Sequence, residues 1–545
     1  MSSVACLFCM QACALPAPSE SPEAANGALS PAPPPPPGPD GEACASTPPK
    51  APTRHDEVGS GTRVSPYELW NGSQLTSFGA VDFITASKET YYVQCADIDM
   101  SALPYRTRAA LVGGYDGRGH SIAGLAPKFN WALPGEGAVG FIGLLQGRAQ
   151  NMTFRRANIV WKEEPSVYYL GTLAGVSASS TVENVHVEES TLAGKLDDSS
   201  WVGGVVGWGF VSNFTDVRVD NTNVTARNTG ASQGQGLAAG VVARMQKGVI
   251  SRTGVSLLHV SSGAAGGLIA LASDGVVLTD SKVVGSAISG TYAGGAGAQL
   301  DAADHVLSQD NIVRGTLQAG GISGFLHCPS SYLRTTGGQV SADGSAGGIA
   351  GSVFGRNVFR FLRVDDATVV GADAGGIAGQ FIANSSSDCF DANPLRRGVS
   401  VAEFGDLSAS ASIYGSATAG GVMGKGAAWV RNAMVHANVK STGGVAGGLV
   451  GSSQATVAPQ GIVLKGSVTA ATTAHATSGA ASPLAWYELG LPVQALSSTF
   501  FGTGLTRAAL LNPQGSPLAT FTFAPTAWVL DAQGVPTIPS AGTTW

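Results

Sequence analysis

Four pairs of closely spaced aspartates are the residues of this 545-residue sequence that come nearest to a catalytic arrangement. Cleavage of a glycosidic bond needs two carboxyl groups about 5 to 10 Å apart, which one loop or two neighbouring segments can supply. Aspartate is also an ordinary turn residue, so each pair can equally be structural. The pairs are Asp97 with Asp99, Asp197 with Asp198, Asp301 with Asp304, and Asp365 with Asp366. A carbohydrate-active enzyme, either a hydrolase or a lyase, is one function that the sequence leaves open.

Aromatic residues between positions 131 and 210 suit binding rather than catalysis. Exposed aromatic rings stack on sugars or anchor protein partners, although such rings can also fill the first coil of a repeat structure or its cap. The predicted binding residues are Trp131, Trp161, Tyr168, Tyr169, Trp201 and Trp208, with Phe210 beside them.

Metal, cofactor and nucleic-acid chemistry have little support. None of the eight histidines begins a His-Glu-x-x-His motif, and no Cys-x-x-Cys pair lies outside the first 60 residues. The net charge is −6 and no stripe of Lys and Arg occurs, whereas phosphate binding requires clustered positive charge. We therefore expect no metal, no cofactor and no nucleic-acid partner.

The elements that must position the candidate residues follow from a recurring phrase, Gly-Gly-x-x-Gly or a close relative. Eleven copies occur, with the residue three before the end of each at positions 140, 172, 204, 240, 267, 295, 321, 348, 376, 421 and 448. Six of the ten separations are 26 to 28 residues, so the unit has about 27 residues and some copies carry insertions. A fixed period of this size is typical of a repeat architecture, in which each unit packs only on its neighbours.

The residues between the phrases favour strands. Segments such as Asn213–Val219 alternate polar and apolar residues, and glycines interrupt nearly every candidate helix in the repeats. Propellers, helical pairs and leucine-rich repeats need other periods or patterns. The glycines themselves fit narrow corners, which require either a positive φ or the absence of a Cβ, and no phosphate-binding sequence follows them.

The first 60 residues differ in composition from the rest. An apolar patch at 4–15 precedes a segment that holds 13 of the 28 prolines by residue 53, which is typical of an extended tether. This start resembles that of a bacterial lipoprotein, with Cys13 as the acylated residue; a secretion signal, cleaved or truncated, and a wrongly assigned start codon are the alternatives. No apolar run reaches 18 residues, so we expect a membrane association only through such an anchor.

Cysteine usage does not decide between these alternatives. Four of the seven cysteines, Cys6, Cys9, Cys13 and Cys44, fall in the leader and tether, which leaves an odd number, Cys95, Cys328 and Cys389, in the body. An odd number cannot pair fully.

Segments on both sides of the repeats resemble a known family. A strand with Asp97 and Asp99 precedes a glycine-rich turn at 113–125, and a Trp528 strand runs to Pro536 near the end. Over about residues 64 to 540 the chain resembles the GLUG-motif β-helix proteins of bacterial surfaces, although Ala replaces the last glycine of the phrase at 243, 270 and 298. The resemblance implies that Asp97 and Asp99 are structural. Family members are adhesin-like surface proteins or lie upstream of the catalytic part of immunoglobulin-A-cleaving metallopeptidases, whose zinc motif is missing here.

The sequence therefore predicts an all-β protein, a right-handed parallel β-helix of about 11 turns with capping segments at both ends. We expect a leader and tether at 1–60, capping strands and a first coil at 61–130, repeats at 131–480, and a closing segment at 481–545. Only 12% of residues are charged, against about 25% in ordinary soluble proteins, which suits a secreted or cell-surface scaffold. We predict a monomer with an adhesive or structural role that binds a glycan or a host-matrix protein.

Overall fold

The computed structural model describes ten main ranges of the chain. These are 52–81, 88–128, 137–161, 167–194, 200–226, 236–354, 358–382, 402–426, 428–452 and 460–475, with Cys44 and the short segments 494–495, 529–530 and 536–537 in addition. Strands form nearly all of the regular structure in these ranges, and one α-helix, Gly72–Gly79, precedes the repeats. The all-β prediction is confirmed for the described part of the chain.

The strands up to residue 300 are short and closely spaced. They are Tyr67–Leu69, Glu89–Gln94, Ile98–Asp99, Tyr105–Arg106, Arg108–Asp116, Ser121–Ala123, Pro127–Lys128, Gly137–Val139, Ile142–Leu145, Arg148–Arg155, Asn158–Val160, Val167–Gly171, Ala174–Ala178, Thr181–Glu188, Thr191–Ala193, Trp201–Gly203, Val206–Thr215, Arg218–Asp220, Asn223–Thr225, Leu237–Ala239, Val242–Ser251, Gly254–Ser256, His259–Gly266, Ile269–Ser273, Val277–Val284, Ala287–Gly294 and Gly297–Leu300.

The later strands include four of more than ten residues. The set is Ala302–Gln309, Ile312–Gly320, Ser323–Leu326, Ser330–Thr336, Gln339–Ala342, Ser345–Gly347, Ala350–Phe354, Val358–Arg360, Arg363–Gly375, Ala378–Ile382, Ala402–Gly420, Met423–Lys425, Ala428–Ser441, Val445–Gly447, Val450–Ser452, Gln460–Ala470, Thr473–His475, Gln494–Ala495, Val529–Leu530 and Pro536–Thr537.

Strands pair in parallel with the strand one repeat later in the chain. Val182 pairs with Phe214, Phe214 with Ile250, and Ile250 with Leu278, so one column of side chains runs through successive repeats. A single sheet of 43 strands results, and the one antiparallel pair among the described strands joins Val529–Leu530 to Pro536–Thr537. Stacked parallel strands of this kind are consistent with a β-helix solenoid.

The inward side chains form one continuous apolar core. Val, Ile, Leu, Phe and Ala side chains with exposures near zero line it from Leu69 to Ala470. Transfer of such side chains out of water is the main favourable contribution to folding. Because each repeat covers only its neighbours, the core extends along the stack without becoming wider.

Two columns of left-handed residues bend the strands between core positions. One column contains Asn151, Asn184, Asp216, Arg252, Asp280, His305, Tyr332, Phe361 and Asp406; the other contains Arg156, Glu189, Asn221, Leu257, Gly285, Asp310, Gly337 and Asp366, all with φ between 46° and 62°. Asn and Asp adopt this conformation readily, whereas it costs a larger side chain about 1 kcal/mol or more. Contacts within the first column offset part of that cost, since the ring of Tyr332 stacks between His305 and Phe361 at centroid distances of 4.3 and 4.5 Å.

The repeated phrase requires glycine for a different reason than the left-handed corners do. Those at Gly348 and Gly376 do not adopt a positive φ. Instead, a Cβ on Gly348 would lie 2.1 Å from the carbonyl oxygen of Gly376 in the next repeat, and the same close approach recurs from Gly204 to Gly421. Of the two reasons expected from the sequence, lack of space for a Cβ is the one that applies.

The first end of the core is filled by aromatic rings and a buried arginine. Phe78 of the helix packs on Tyr92 and Phe141 at ring distances of 4.8 and 5.1 Å. Arg108 is 1% exposed, lies 4.3 Å over the Phe78 ring, and donates hydrogen bonds to the carbonyl oxygens of Ala110 and Phe78. The helix begins at the N-cap Asn71, whose side chain accepts the amide of Gln74, and was not predicted from the sequence.

A disulfide joins the proline-rich segment to the first strands. Cys44, which the sequence analysis assigned to the tether, is bonded to Cys95. Cys328 is also disulfide-bonded. Part of the segment before residue 60 is therefore fixed to the body of the protein.

Candidate functional site

The strand before each glycine corner and the strand after it each carry a side chain directed away from the main core, and the two side chains meet across the bend. Over successive repeats these side chains form two columns, which we together call the outer seam. The first column contains Ala138, Tyr169, Trp201, Leu237, Ala264, Tyr292, Gln318, Ser345, Asp373, Thr418 and Val445. The second contains Leu144, Val176, Trp208, Arg244, Leu271, Gln299, Phe325, Ser352, Gln380, Lys425 and Ser452.

The last glycine of the phrase determines how closely the two columns approach. A Cβ on Gly207 would lie 2.7 Å from the amide of Leu170 and from the carbonyl oxygen of Gly175, so the two strands pack backbone to backbone at this level. Where the sequence has Ala243, Ala270 and Ala298 instead, these methyl groups are fully buried in a small cluster beneath Trp201, Leu271 and Tyr292. The phrase thus brings the outward side chains on either side of the bend into contact.

Four aromatic side chains gather in the seam near its first end. The ring of Trp201 lies 5.1 Å from that of Tyr169 and 5.8 Å from that of Trp208, and Trp208 contacts Phe210 at 6.3 Å. We call Tyr169, Trp201, Trp208 and Phe210 the first aromatic cluster. Tyr169 is 8% exposed and Phe210 is 39% exposed, and both tryptophans are half-buried, so the cluster has an accessible outer surface.

A cation and two unpaired donors accompany the first aromatic cluster. The guanidinium carbon of Arg244 lies 4.7 Å from the centroid of the Trp201 ring, a cation–π distance. The indole nitrogen of Trp208 and Nε of Arg244 are buried without a hydrogen-bond partner. Most buried donors in folded proteins are paired, so these two are exceptions among the described residues.

A second aromatic cluster occupies the same seam further along, and sequence reasoning missed it. It consists of Tyr292, Phe325, His327 and Phe354: Tyr292 lies 4.9 Å from Phe325, and the ring of Phe354 stacks on His327 at 4.5 Å. Burial lowers the pKa of His327, so its ring is neutral at pH 7. The signal was present, because Tyr292 and Trp201 both stand three residues before the anchor of a phrase, and Phe325 and Trp208 both stand four residues after one.

The later end of the seam is polar. Ser352 donates to the side chain of Gln318 at 2.6 Å and accepts from Gln380 at 3.1 Å. Lys425 lies 3.9 Å from Asp373. Ser352 and Gln318 are buried, whereas Gln380 is half-buried and Lys425 is exposed, so these two can bond to a hydroxyl-rich ligand.

The structure places the six predicted binding residues differently. Tyr169, Trp201 and Trp208 come together in the first aromatic cluster. Trp161 packs against the main core instead and its amide donates to Ala193. Tyr168 lies in the strand Val167–Gly171, but its side chain is outside the described residues, as are Trp131 and the predicted lipidation residue Cys13.

The described aspartates of the candidate catalytic pairs are held by donors from their own surroundings. Asp97 accepts from the amide and hydroxyl of Ser121, which lowers its pKa, and Asp99 accepts from those of Ser101 in the same way. Asp365 contacts both Arg334 at 3.0 Å and Arg363 at 2.7 Å. These are structural arrangements of a turn or an ion pair.

The pair Asp301 and Asp304 also has local partners. Burial raises the pKa of Asp301, whose carboxylate accepts the amide of Gly275 at 2.9 Å in the preceding repeat. Asp304 contacts the ring of His305 at 2.7 Å and accepts from the hydroxyl of Ser331. Asp366 is an exposed left-handed corner residue, and Asp197 and Asp198 lie outside the described residues.

The described ranges contain no group of three or more His, Cys, Asp or Glu side chains that could hold a metal ion. Within the described residues, no helix is long and apolar enough to cross a bilayer.

This chain shows only limited similarity to known proteins in sequence and in structure. No protein-family model matches the chain. Halomucin from Haloquadratum walsbyi is 31% identical over 165 residues, an alignment that includes 27% of this chain and 2% of the length of halomucin. A solved structure of a candidate immunoglobulin A1 protease from Bacteroides ovatus covers 89% of this chain and 95% of its own, at 16% identity and a TM-score of 0.22. A score this low does not support a shared fold, so the GLUG-motif resemblance still rests on the residues that suggested it.

Proposed function

We propose that this chain is a secreted or cell-surface protein, built as a right-handed β-helix, that binds a glycan or a protein partner along the outer seam. The observation that carries the proposal is the first aromatic cluster. Trp201, Trp208 and Phe210 keep part of their rings accessible on an outward face. Exposed aromatic groups of this size are typical of binding surfaces.

Composition and chain organisation agree with this location. The low proportion of charged residues and the proline-rich segment before residue 53 suit a scaffold held away from a surface. The similarity to halomucin is compatible with that role, although it covers only a small part of either protein. We propose that the protein acts as a monomer, with the seam as its main contact surface.

Binding accounts for the described acids better than catalysis does. A glycoside hydrolase or lyase needs an acid and a base that are free to exchange protons with substrate. Asp97 and Asp99 instead accept backbone amides, and Asp365 is paired with two arginines. We therefore expect ligand retention without release of a product.

The proposal is tested with arrays of glycans and host-matrix proteins probed with the full chain. The full chain is required because a fragment that begins at residue 60 would lack Cys44 and its bond to Cys95. We expect the wild type to bind at least one probe and Trp208→Ala to lose most of that binding. Tyr414→Ala is the matched control, because Tyr414 is 41% exposed, pairs with Val370 and Lys440, and lies in neither column of the seam.

Two results would count against the proposal. Absence of binding to every probe would leave a purely structural role. An equal loss of binding in Trp208→Ala and Tyr414→Ala would show that binding does not depend on the seam. Release of shortened glycan would favour the enzyme instead. Thermal melts of the three proteins show whether a loss of binding reflects unfolding.

We also propose that Cys13 carries a lipid anchor. Its place after an apolar patch and before a proline-rich segment is the support. Palmitate labelling of the wild type and of Cys13→Ser in bacterial cells tests it, with labelling expected only in the wild type. Equal labelling of both would refute the anchor.

A further inference from the structure

We infer that the ligand of the outer seam is a linear, uncharged polysaccharide that lies along the stack of repeats and contacts both aromatic clusters. This inference rests on the proposed function and adds the ligand class and its direction. The argument starts from the distance between the clusters. Trp208 and Phe325 belong to one column and are separated by four strand pairings, through Arg244, Leu271 and Gln299. At about 4.8 Å per pairing, the two rings are about 19 Å apart along the stack.

The side chains between the clusters suit a polymer of sugar rings. Between the clusters, the half-buried Leu271 of the second column offers an apolar contact and the half-buried Gln299 follows with an amide group, whereas Leu237, Ala264 and Gln318 of the first column are buried. A sugar unit has an apolar ring face that stacks on aromatic groups and hydroxyl groups that bond to amides. Neighbouring positions of this column repeat at the strand spacing of about 4.8 Å, so a ligand that runs along the stack passes Arg244, Leu271 and Gln299 in turn between the two rings.

The backbone of the seam does not suit a peptide strand. An extended peptide binds by adding a strand to a free sheet edge. The strand at Trp201 is paired on both sides, with Tyr169 and with Leu237, and that at Trp208 is paired with Val176 and with Arg244. A ligand at the clusters therefore meets side chains only.

Charge in the seam is too sparse for an ionic polymer. Between the first aromatic cluster and Ser352, Arg244 is the one charged side chain of the two columns, and its guanidinium lies on the Trp201 ring. His327 is neutral at pH 7 because burial lowers its pKa. Farther along, Asp373 lies beside Lys425, so their charges offset each other. A polyanion would need repeated cations, which the seam lacks.

The test uses the full chain and soluble polysaccharides in isothermal titration calorimetry. The probes are a mixed-linkage β-glucan, a galactomannan, polygalacturonate, and the hexasaccharide and disaccharide of whichever neutral polymer binds. The variants are Trp208→Ala in the first aromatic cluster and Phe325→Leu in the second, with Tyr414→Ala as control. Phe325→Leu removes the ring and keeps an apolar side chain, so it preserves packing.

We expect the wild type to bind a neutral polysaccharide and each cluster variant to bind it at least about ten-fold more weakly, because each removes one of two linked contacts. The hexasaccharide should bind at least about ten-fold more tightly than the disaccharide, since only the longer chain reaches both clusters. Equal affinity of the two oligosaccharides would overturn the inference, as would wild-type affinity in Phe325→Leu.

The outcomes also separate this inference from the proposed function. Loss of binding in Trp208→Ala with none in Phe325→Leu keeps a binding seam but refutes a ligand that spans both clusters. Tighter binding of polygalacturonate than of either neutral polymer refutes the uncharged ligand. Failure of all polysaccharides refutes the inference, and the protein array then decides whether the proposed function survives.

Discussion

Replacement of Gly348 by alanine tests the close packing of successive repeats. The added Cβ would lie 2.1 Å from the carbonyl oxygen of Gly376 and about 3 Å from both methyl groups of Val364. Carbon and oxygen atoms rarely approach closer than about 3.3 Å, so the two repeats must separate by about 1 Å. The amide of Gly348 donates to Gly375 at 3.1 Å, and this bond does not survive such a displacement.

The expected loss is on the order of 3 kcal/mol. It combines the cost of overpacking, about 1 to 3 kcal/mol, with one or more lost hydrogen bonds of about 1 kcal/mol each. The matched control is Gly254→Ala, because Gly254 is also a strand glycine without a positive φ and the nearest atoms to its added Cβ are 3.6 Å away, on the side chain of Lys282. We expect that variant to be neutral or more stable by up to about 1 kcal/mol.

The assay is native-state hydrogen exchange on the full chain, supported by urea denaturation. A stack of repeats opens locally, so protection should fall first in the repeats that contain Gly348 and Gly376. If Gly348→Ala and Gly254→Ala differ by less than about 0.5 kcal/mol, the close approach of the repeats is not what keeps glycine in the phrase.

Three further predictions concern the cap, an ion pair and a histidine. Arg108→Ala should lower the free energy of unfolding by about 3 kcal/mol in thermal melts, because it leaves a cavity among aromatic rings and removes two buried hydrogen bonds to carbonyl oxygens; an unchanged melting temperature would contradict this. Asp365→Asn should cost about 1 kcal/mol, since two arginines lose their shared carboxylate, and the loss should shrink in high salt. His327 has a lowered pKa because it is buried, so the unfolded chain binds its proton more readily and stability should fall as pH drops through about 6.5. His327→Phe should reduce the slope of stability against pH between about 7.5 and 5.5. An unchanged slope would show that other titrating groups cause the pH dependence.

The strand-forming character of the chain could be predicted because it depends on local patterns. Spacing of the glycine phrase and alternation around residues such as Val185 and Val187 indicate stacked strands without any knowledge of contacts. The left-handed corners were only partly predictable. Asn and Asp at these positions are expected, whereas Tyr332 and Phe361 adopt the same conformation because their neighbours in the stack impose it.

Only part of the candidate site could be predicted, because local patterns reveal neighbours in sequence but not residues that the stack brings together. Tyr169, Trp201 and Trp208 stood out because they are aromatic and close in sequence, whereas Phe325 and Phe354 lie far from them in sequence and belong to two different repeats. Trp161 looked equivalent but packs against the core, since it follows a strand that is not next to a glycine corner.

The sequence alone determined the period, the strands and the presence of aromatic residues near the first repeats, because these follow from residue type and spacing. Only the tertiary structure decided which side chains share the outer seam, that Cys44 is bonded to Cys95, and why the phrase requires glycine. The physical reason is that these features depend on the register of one repeat on the next. Insertions change the separation of copies from 26 to 45 residues, and pairing of the backbone brings residues at those variable distances to the same level.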